Sequence, residues 1–145
     1  MTALTDDRPP RRLPALEPGS AYYWTAGAEG RLLICRCGAC GRYIHPPTPL
    51  CTACGDERVS PEPVSGRGRV ATFTVNHQQW IPRLPVPYVI AAVELVEQAE
   101  LYVLTNIVGC PAEDVRSGME VEVVFEPHGE VFLPMFQPIA ATDAR

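Results

Sequence analysis

The chain is 145 residues long, enough for one domain or one small module joined to another, and its 46% apolar content excludes wholesale disorder. Sixteen prolines, about twice the usual ~5% share, exclude a helical bundle, because proline breaks helix interiors. Twelve arginines, no lysine and seventeen acids leave a net charge of −5, which argues against a polyanion as partner.

Residues 1–18 carry Pro9, Pro10, Pro14 and Pro18 with few large apolar groups, and are expected as a flexible or extended N-terminal arm. The start, Met1 to Arg8, has no apolar signal core, and no apolar run approaches the ~20 residues of a membrane helix, so a soluble cytoplasmic protein is expected. Over residues 19–30, Ser20 is placed to cap a short helix through Ala26, with Gly27 or Gly30 ending it. Three adjacent aromatics, Tyr22, Tyr23 and Trp24, are too many for an idle surface turn. Either they pack on the modules behind them or they bind a partner, which makes all three candidate partner-binding residues.

Residues 31–65 are expected to form a zinc ribbon. Five of the six cysteines lie between Cys35 and Cys54. They include two matched knuckles, Cys37-Gly38-Ala39-Cys40-Gly41 and Cys51-Thr52-Ala53-Cys54-Gly55. Two such pairs supply four thiolates to one tetrahedral zinc at about 2.3 Å each. The glycine after each pair suits the sharp turn that aims backbone N–H groups at sulfur. A segment this short cannot fold on its own core, so the metal supplies its stability. A four-thiolate zinc keeps no open position for water and is structural. Cys35 reads as a small apolar strand residue, Cys110 as a buried thiol at a strand end, and His45 as a packing residue. The segment Tyr43 to Pro49 is expected to cross between the knuckles in extended form.

Residues 66–138 alternate as strands, and 139–145 follow as a tail. Arg69 to Asn76 is the first strand, with Ala71, Phe73 and Val75 expected on one face. Tyr88 to Val96 and Leu101 to Val108 follow, then a single helical turn from Pro111 to Gly118. Met119 to Phe125 and Val131 to Phe136 complete a count of five strands. Five strands with a helical turn between the third and fourth match an OB-fold barrel, so the fold class expected is mainly β: a short helix and zinc ribbon, then the barrel. The connection from Asn76 to Pro87 places Trp80 and Ile81 at a loop tip, where OB barrels bind ligands; both are candidate partner-binding residues. Ser65-Gly66-Arg67-Gly68-Arg69 reads as a linker, or as a phosphate contact through Arg67 and Arg69.

Taken in order, these pieces resemble the DUF35 family, in which a rubredoxin-like zinc ribbon precedes an acyl-CoA-associated OB-fold. The matching residues are Tyr23-Trp24, the four knuckle cysteines, Pro46-Pro47, Ser65 to Gly68, Pro87-Tyr88 and Val93-Glu94-Leu95. The chain departs from the pattern after Leu95, where Glu97-Gln98-Ala99-Glu100 replaces a glycine-containing turn. The resemblance implies an accessory subunit beside a thiolase-like enzyme, such as an acyl-CoA thiolase or a lipid-transfer-protein-like aldolase of steroid side chains. Some relatives are fused or bound to MaoC-type enoyl-CoA hydratases. Acyl-CoA at the interface, with its phosphate near Arg67 and Arg69, belongs to the same implication.

Two other readings compete: a free-standing acyl-CoA-binding protein and a single-stranded nucleic-acid module. Charge weighs against the second, since residues 88–130 hold nine acids and one arginine. Catalysis by the chain itself lacks a nucleophile paired with a base, because His45, His77 and His128 fall on separate predicted loops.

Overall fold

A computed structural model describes residues 10–140 of the chain. The first nine residues of the expected arm and the last five of the expected tail lie outside the described residues. The aromatic segment forms the first regular element, helix α1 (Ala21–Thr25), which tightens into a 3-10 turn over Ala26–Glu29. Gly30, at φ +71°, ends it in the left-handed conformation. Ser20 stands at the N-cap position, yet its hydroxyl makes no capping bond; the N–H of Ala21 bonds to the Glu17 carbonyl instead, at 2.8 Å. Gly27 is where the turn meets the barrel. A Cβ there would lie 2.4 Å from Phe132 Cβ, so only glycine lets the two approach.

Strands β1 (Leu32–Cys37), β2 (Tyr43–Ile44) and β3 (Val59–Val64) form a small antiparallel sheet in the order β2-β1-β3. β3 carries Pro61 and Pro63. Proline has no N–H to give a ladder, so it is tolerated here because β3 is an edge strand. At the opposite edge the Gln98 side chain binds β2, accepting from the Tyr43 N–H at 2.8 Å and donating to its carbonyl at 3.0 Å. That contact joins the ribbon to the barrel, as does the burial of Leu32 and Ile34 in one cluster with barrel residues.

The barrel comprises β4 (Arg67–Asn76), β5 (Tyr88–Leu95), β6 (Tyr102–Ile107), β7 (Glu120–His128) and β8 (Val131–Pro138), closed in the order β4-β5-β6-β8-β7. All five expected strands are present, and the helical turn is a 3-10 turn of three residues, Ala112–Asp114, with extended Pro111 before it. Inside lie Val93, Val103, Val121 and Phe136, all fully buried. One expectation about the first strand fails. The register of β4 shifts between Val70 and Thr72, so Gly68 and Val70 face inward, Ala71 is exposed, and Phe73 and Val75 return to the core side. A bulge of this kind breaks the period-two alternation that the reading of Ala71 assumed.

In the turn after β5, Glu100 takes φ +62° in place of a glycine. Its N–H bonds to Glu94 Oε2 at 3.0 Å, which helps hold this uncommon conformation. The closure between β6 and β8 is thin, a single parallel register pair of Ile107 with Phe136. Side chains reinforce it. Thr105 Oγ1 donates to the Pro134 carbonyl at 3.0 Å. Arg11, on the described part of the arm, donates to Asn106 Oδ1 at 3.0 Å and to both carboxylate oxygens of Glu126, at 2.5 and 3.3 Å. The arm here is extended and pinned to the barrel. Among the described residues no helix is long and apolar enough to cross a membrane.

Candidate metal centre and binding faces

The two knuckles fold alike because their sequences are alike. In each, the glycine N–H bonds back to the first cysteine's carbonyl, Gly41 to Cys37 at 3.0 Å and Gly55 to Cys51 at 2.9 Å. Both glycines hold φ near +78°, a conformation costly for any residue with a Cβ. The tight turns aim N–H groups at sulfur: Ala39 and Cys40 at Cys37 Sγ, and Ala53 at Cys51 Sγ, each at 3.4 Å. These backbone donors stabilise thiolate. The Cys40 and Ala39 N–H groups lower the Cys37 thiol, and those of Cys54 and Ala53 pull Cys51 down to about 6.

The four sulfurs of Cys37, Cys40, Cys51 and Cys54 lie within 4.8 Å of one another. Cys37–Cys54 and Cys40–Cys51 are each 3.6 Å apart. A tetrahedron with ~2.3 Å metal–sulfur bonds has edges of about 3.8 Å, so the cluster has the size and the donor set for one zinc ion. Zinc held by these four residues cross-links two loops and leaves no coordination site for a substrate. Cys35 lies outside the cluster. It is buried in β1 as expected, and its thiol donates to the Tyr22 hydroxyl at 3.1 Å. Cys110 follows the end of β6 as expected, but it is half-buried rather than buried. His45 packs as expected, its ring 4.9 Å from Tyr23. Its Nδ1 is buried without a hydrogen-bond partner among the described residues, and burial holds the imidazole pKa down.

The expected partner-binding aromatics separate. Tyr23 is only 6% exposed, packed between Trp24 and His45, and lines the floor of the cleft that Trp24 and Ile81 also line. Tyr22 is half-buried between the barrel core and the ribbon. Trp24 and Ile81 line a mostly apolar cleft of about 310 Å³ with Leu84, Leu104, Leu133 and Met135. Trp80 is 72% exposed, its indole N–H bonded to Asn76 Oδ1 at 3.1 Å. Arg67 and Arg69 line a separate cavity of about 590 Å³ that also holds Glu94 and Glu120. Arg69 pairs with Glu94 at 3.5 Å, and the two carboxylates offset the attraction of this cavity for an anion.

Sequence reasoning missed two features. Leu104 is 77% exposed and Tyr102 43%, both on the outer face of β6; the signal was an unbroken apolar run, Leu101 to Leu104, where a strand with one wet face should alternate. Glu126 binds both Arg11 and His128, the latter at 2.6 Å. Burial would raise this carboxyl, but the bonds from Arg11 and His128 outweigh it and hold it below the usual carboxylate range. Arg11 and Glu126 are 115 residues apart in sequence, so no local pattern pairs them.

A structural zinc ribbon packed on a closed five-stranded barrel defines the class. Family models for the ChsH2 rubredoxin-like zinc ribbon domain and the ChsH2 C-terminal OB-fold domain match residues 24–60 and 61–126. A DUF35 domain-containing scaffold protein of Methanocaldococcus jannaschii is 39% identical over 98 residues, 65% of this chain and 67% of that protein. The chain therefore belongs to the DUF35 family that includes ChsH2. A probable enoyl-CoA hydratase alpha subunit of Thermomonospora curvata is 36% identical over 140 residues, 94% of this chain; the chain spans 43% of that protein's length. Among solved structures, a chain of the Ltp2-ChsH2(DUF35) aldolase is 35% identical with a TM-score of 0.78, covering 87% of this chain and 98% of that one.

Proposed function

We propose that the chain is a non-catalytic accessory subunit that binds and stabilises a thiolase-like enzyme of acyl-CoA metabolism, either a steroid side-chain aldolase or an acyl-CoA thiolase. The observation that carries this reading is the near end-to-end likeness to the DUF35 chain of an aldolase complex. Two features of the chain support it. The zinc site is sealed by four thiolates, so the metal organises structure and activates no water. The three histidines stand on separate elements, and none faces a thiol or hydroxyl nucleophile at hydrogen-bond distance among the described residues.

Co-expression with a thiolase-like enzyme encoded beside this chain tests the reading. A stable complex is expected, with turnover that requires the enzyme and none from the chain alone. Failure to co-purify, or turnover by the isolated chain, overturns it. The likeness to a hydratase alpha subunit favours a second reading, association with an enoyl-CoA hydratase, and co-purification with a MaoC-type hydratase would select it. A free-standing acyl-CoA-binding role predicts heat on titrating acyl-CoA into the chain without any partner.

A further inference from the structure

We propose that the catalytic partner docks at the thinly paired seam between β6 and β8, through an extended segment carrying a carboxylate beside a bulky apolar side chain. The proposal rests on the accessory-subunit reading and assigns it a surface. The argument starts from strand edges. Exposed edges invite pairing, and proteins block them with proline, charge or covering groups. In the ribbon both edges are blocked: β3 by Pro61 and Pro63, and β2 by the Gln98 amide bound to Tyr43. β6 is different. It pairs with β5 along its length but meets β8 only at Ile107. From Tyr102 to Leu104 its seam side faces no ladder, and the strand contains no proline and no charge. An extended segment can add there, as strands add to open sheet edges in peptide recognition.

The chemistry beside that edge specifies the segment. The cleft next to Leu104 is lined by Trp24, Ile81, Leu84, Leu133 and Met135, a receptacle for one large apolar side chain. Its charged lining residues are Arg11 and Arg12, with no acid among them. Arg11 is committed to Glu126. Arg12 is exposed and has no ion pair or hydrogen bond among the described residues. Residues 88–130 of the barrel, by contrast, carry nine acids and one arginine, and Arg67 and Arg69 of β4 line the other cavity. An anion is repelled by most of the barrel and attracted here, so a carboxylate fixes the register of the incoming segment on Arg12. Leu104, 77% exposed, lines the site as a large apolar group that solvent does not favour.

The test measures affinity of the full zinc-loaded chain for its thiolase-like partner by calorimetry, with variants Leu104→Asp, Arg12→Glu and Arg12→Lys. Val96→Asp is the control, since Val96 is 65% exposed and lines the other cavity. Zinc content and far-ultraviolet circular dichroism check folding. Leu104→Asp and Arg12→Glu are each expected to weaken the complex at least tenfold, while Arg12→Lys and Val96→Asp stay within about threefold of wild type, because lysine keeps the charge and Val96 lies off the seam. A wild-type complex that all four variants leave unchanged overturns the docking site and spares the accessory role. No wild-type complex at all overturns both. Binding of a 20-residue oligothymidylate by the wild type, abolished by Leu104→Asp and Arg12→Glu, assigns the seam to nucleic acid and also overturns the proposal.

Discussion

Backbone hydrogen bonds shape each knuckle, and the four thiolates on one metal would join the two. Cys40→Ser replaces one thiolate with a hydroxyl that does not ionise near neutral pH and binds zinc poorly. The expected result is a zinc content well below wild type by elemental analysis, and a lower midpoint of thermal unfolding. Cys35→Ala is expected to keep the zinc, because Cys35 bonds to Tyr22 and not to the cluster. The ligand set was legible from spacing, since each knuckle is five residues of local geometry repeated. The fates of Tyr22, Tyr23 and Trp24 were not. Three adjacent residues on a short helix point in different directions, and which one enters the core depends on how the helix sits against β8 and the ribbon.

Among the elements, the arm carries the least expected energetic role. Arg11 crosses the weak β6–β8 seam by holding Asn106 on β6 and Glu126 on β7. Its pairing groups are 17% and 19% exposed, so the bond is only partly screened. Arg11→Ala is expected to cost about 1–2 kcal/mol near neutral pH, read from urea unfolding. The pH dependence follows from the direction of the Glu126 shift. Its folded carboxyl lies below the ordinary 4.5, so the stabilisation is complete above that value and is lost as pH falls through the folded pKa. The difference between wild type and Arg11→Ala therefore shrinks in acid, and a constant difference would show that Glu126 is not the partner that matters. The strands themselves were legible from alternation, apart from β4, where a bulge turned Ala71 outward. A register shift costs one residue of pattern and leaves no mark in composition.

At the scale of the whole molecule, stability depends on closing a barrel through its thinnest pair. Phe136 is fully buried and makes that pair with Ile107. Phe136→Ala is expected to cost about 3–5 kcal/mol in thermal or urea unfolding, with the zinc content of the folded fraction unchanged. A loss below ~1 kcal/mol would mean that the barrel does not depend on this contact. The ribbon and barrel communicate through Gln98, a residue in the stretch where the family pattern was broken. That bond adds to a shared core, in which Leu32 and Ile34 of the ribbon are buried in one cluster with Val70 and Phe136 of the barrel.

The amino-acid sequence alone determined the metal centre, the succession of helix, ribbon and barrel, and the family. Knuckle spacing and period-two alternation act over a few residues, and the order of the motifs survives without knowledge of any contact. Only the tertiary structure decided which aromatics are buried, where the barrel is thin, and that Arg12, Ile81, Leu104 and Leu133 line one cleft. Those residues are brought together by strand order in a closed barrel, and closure is a property of the whole sheet that no local stretch of chain encodes.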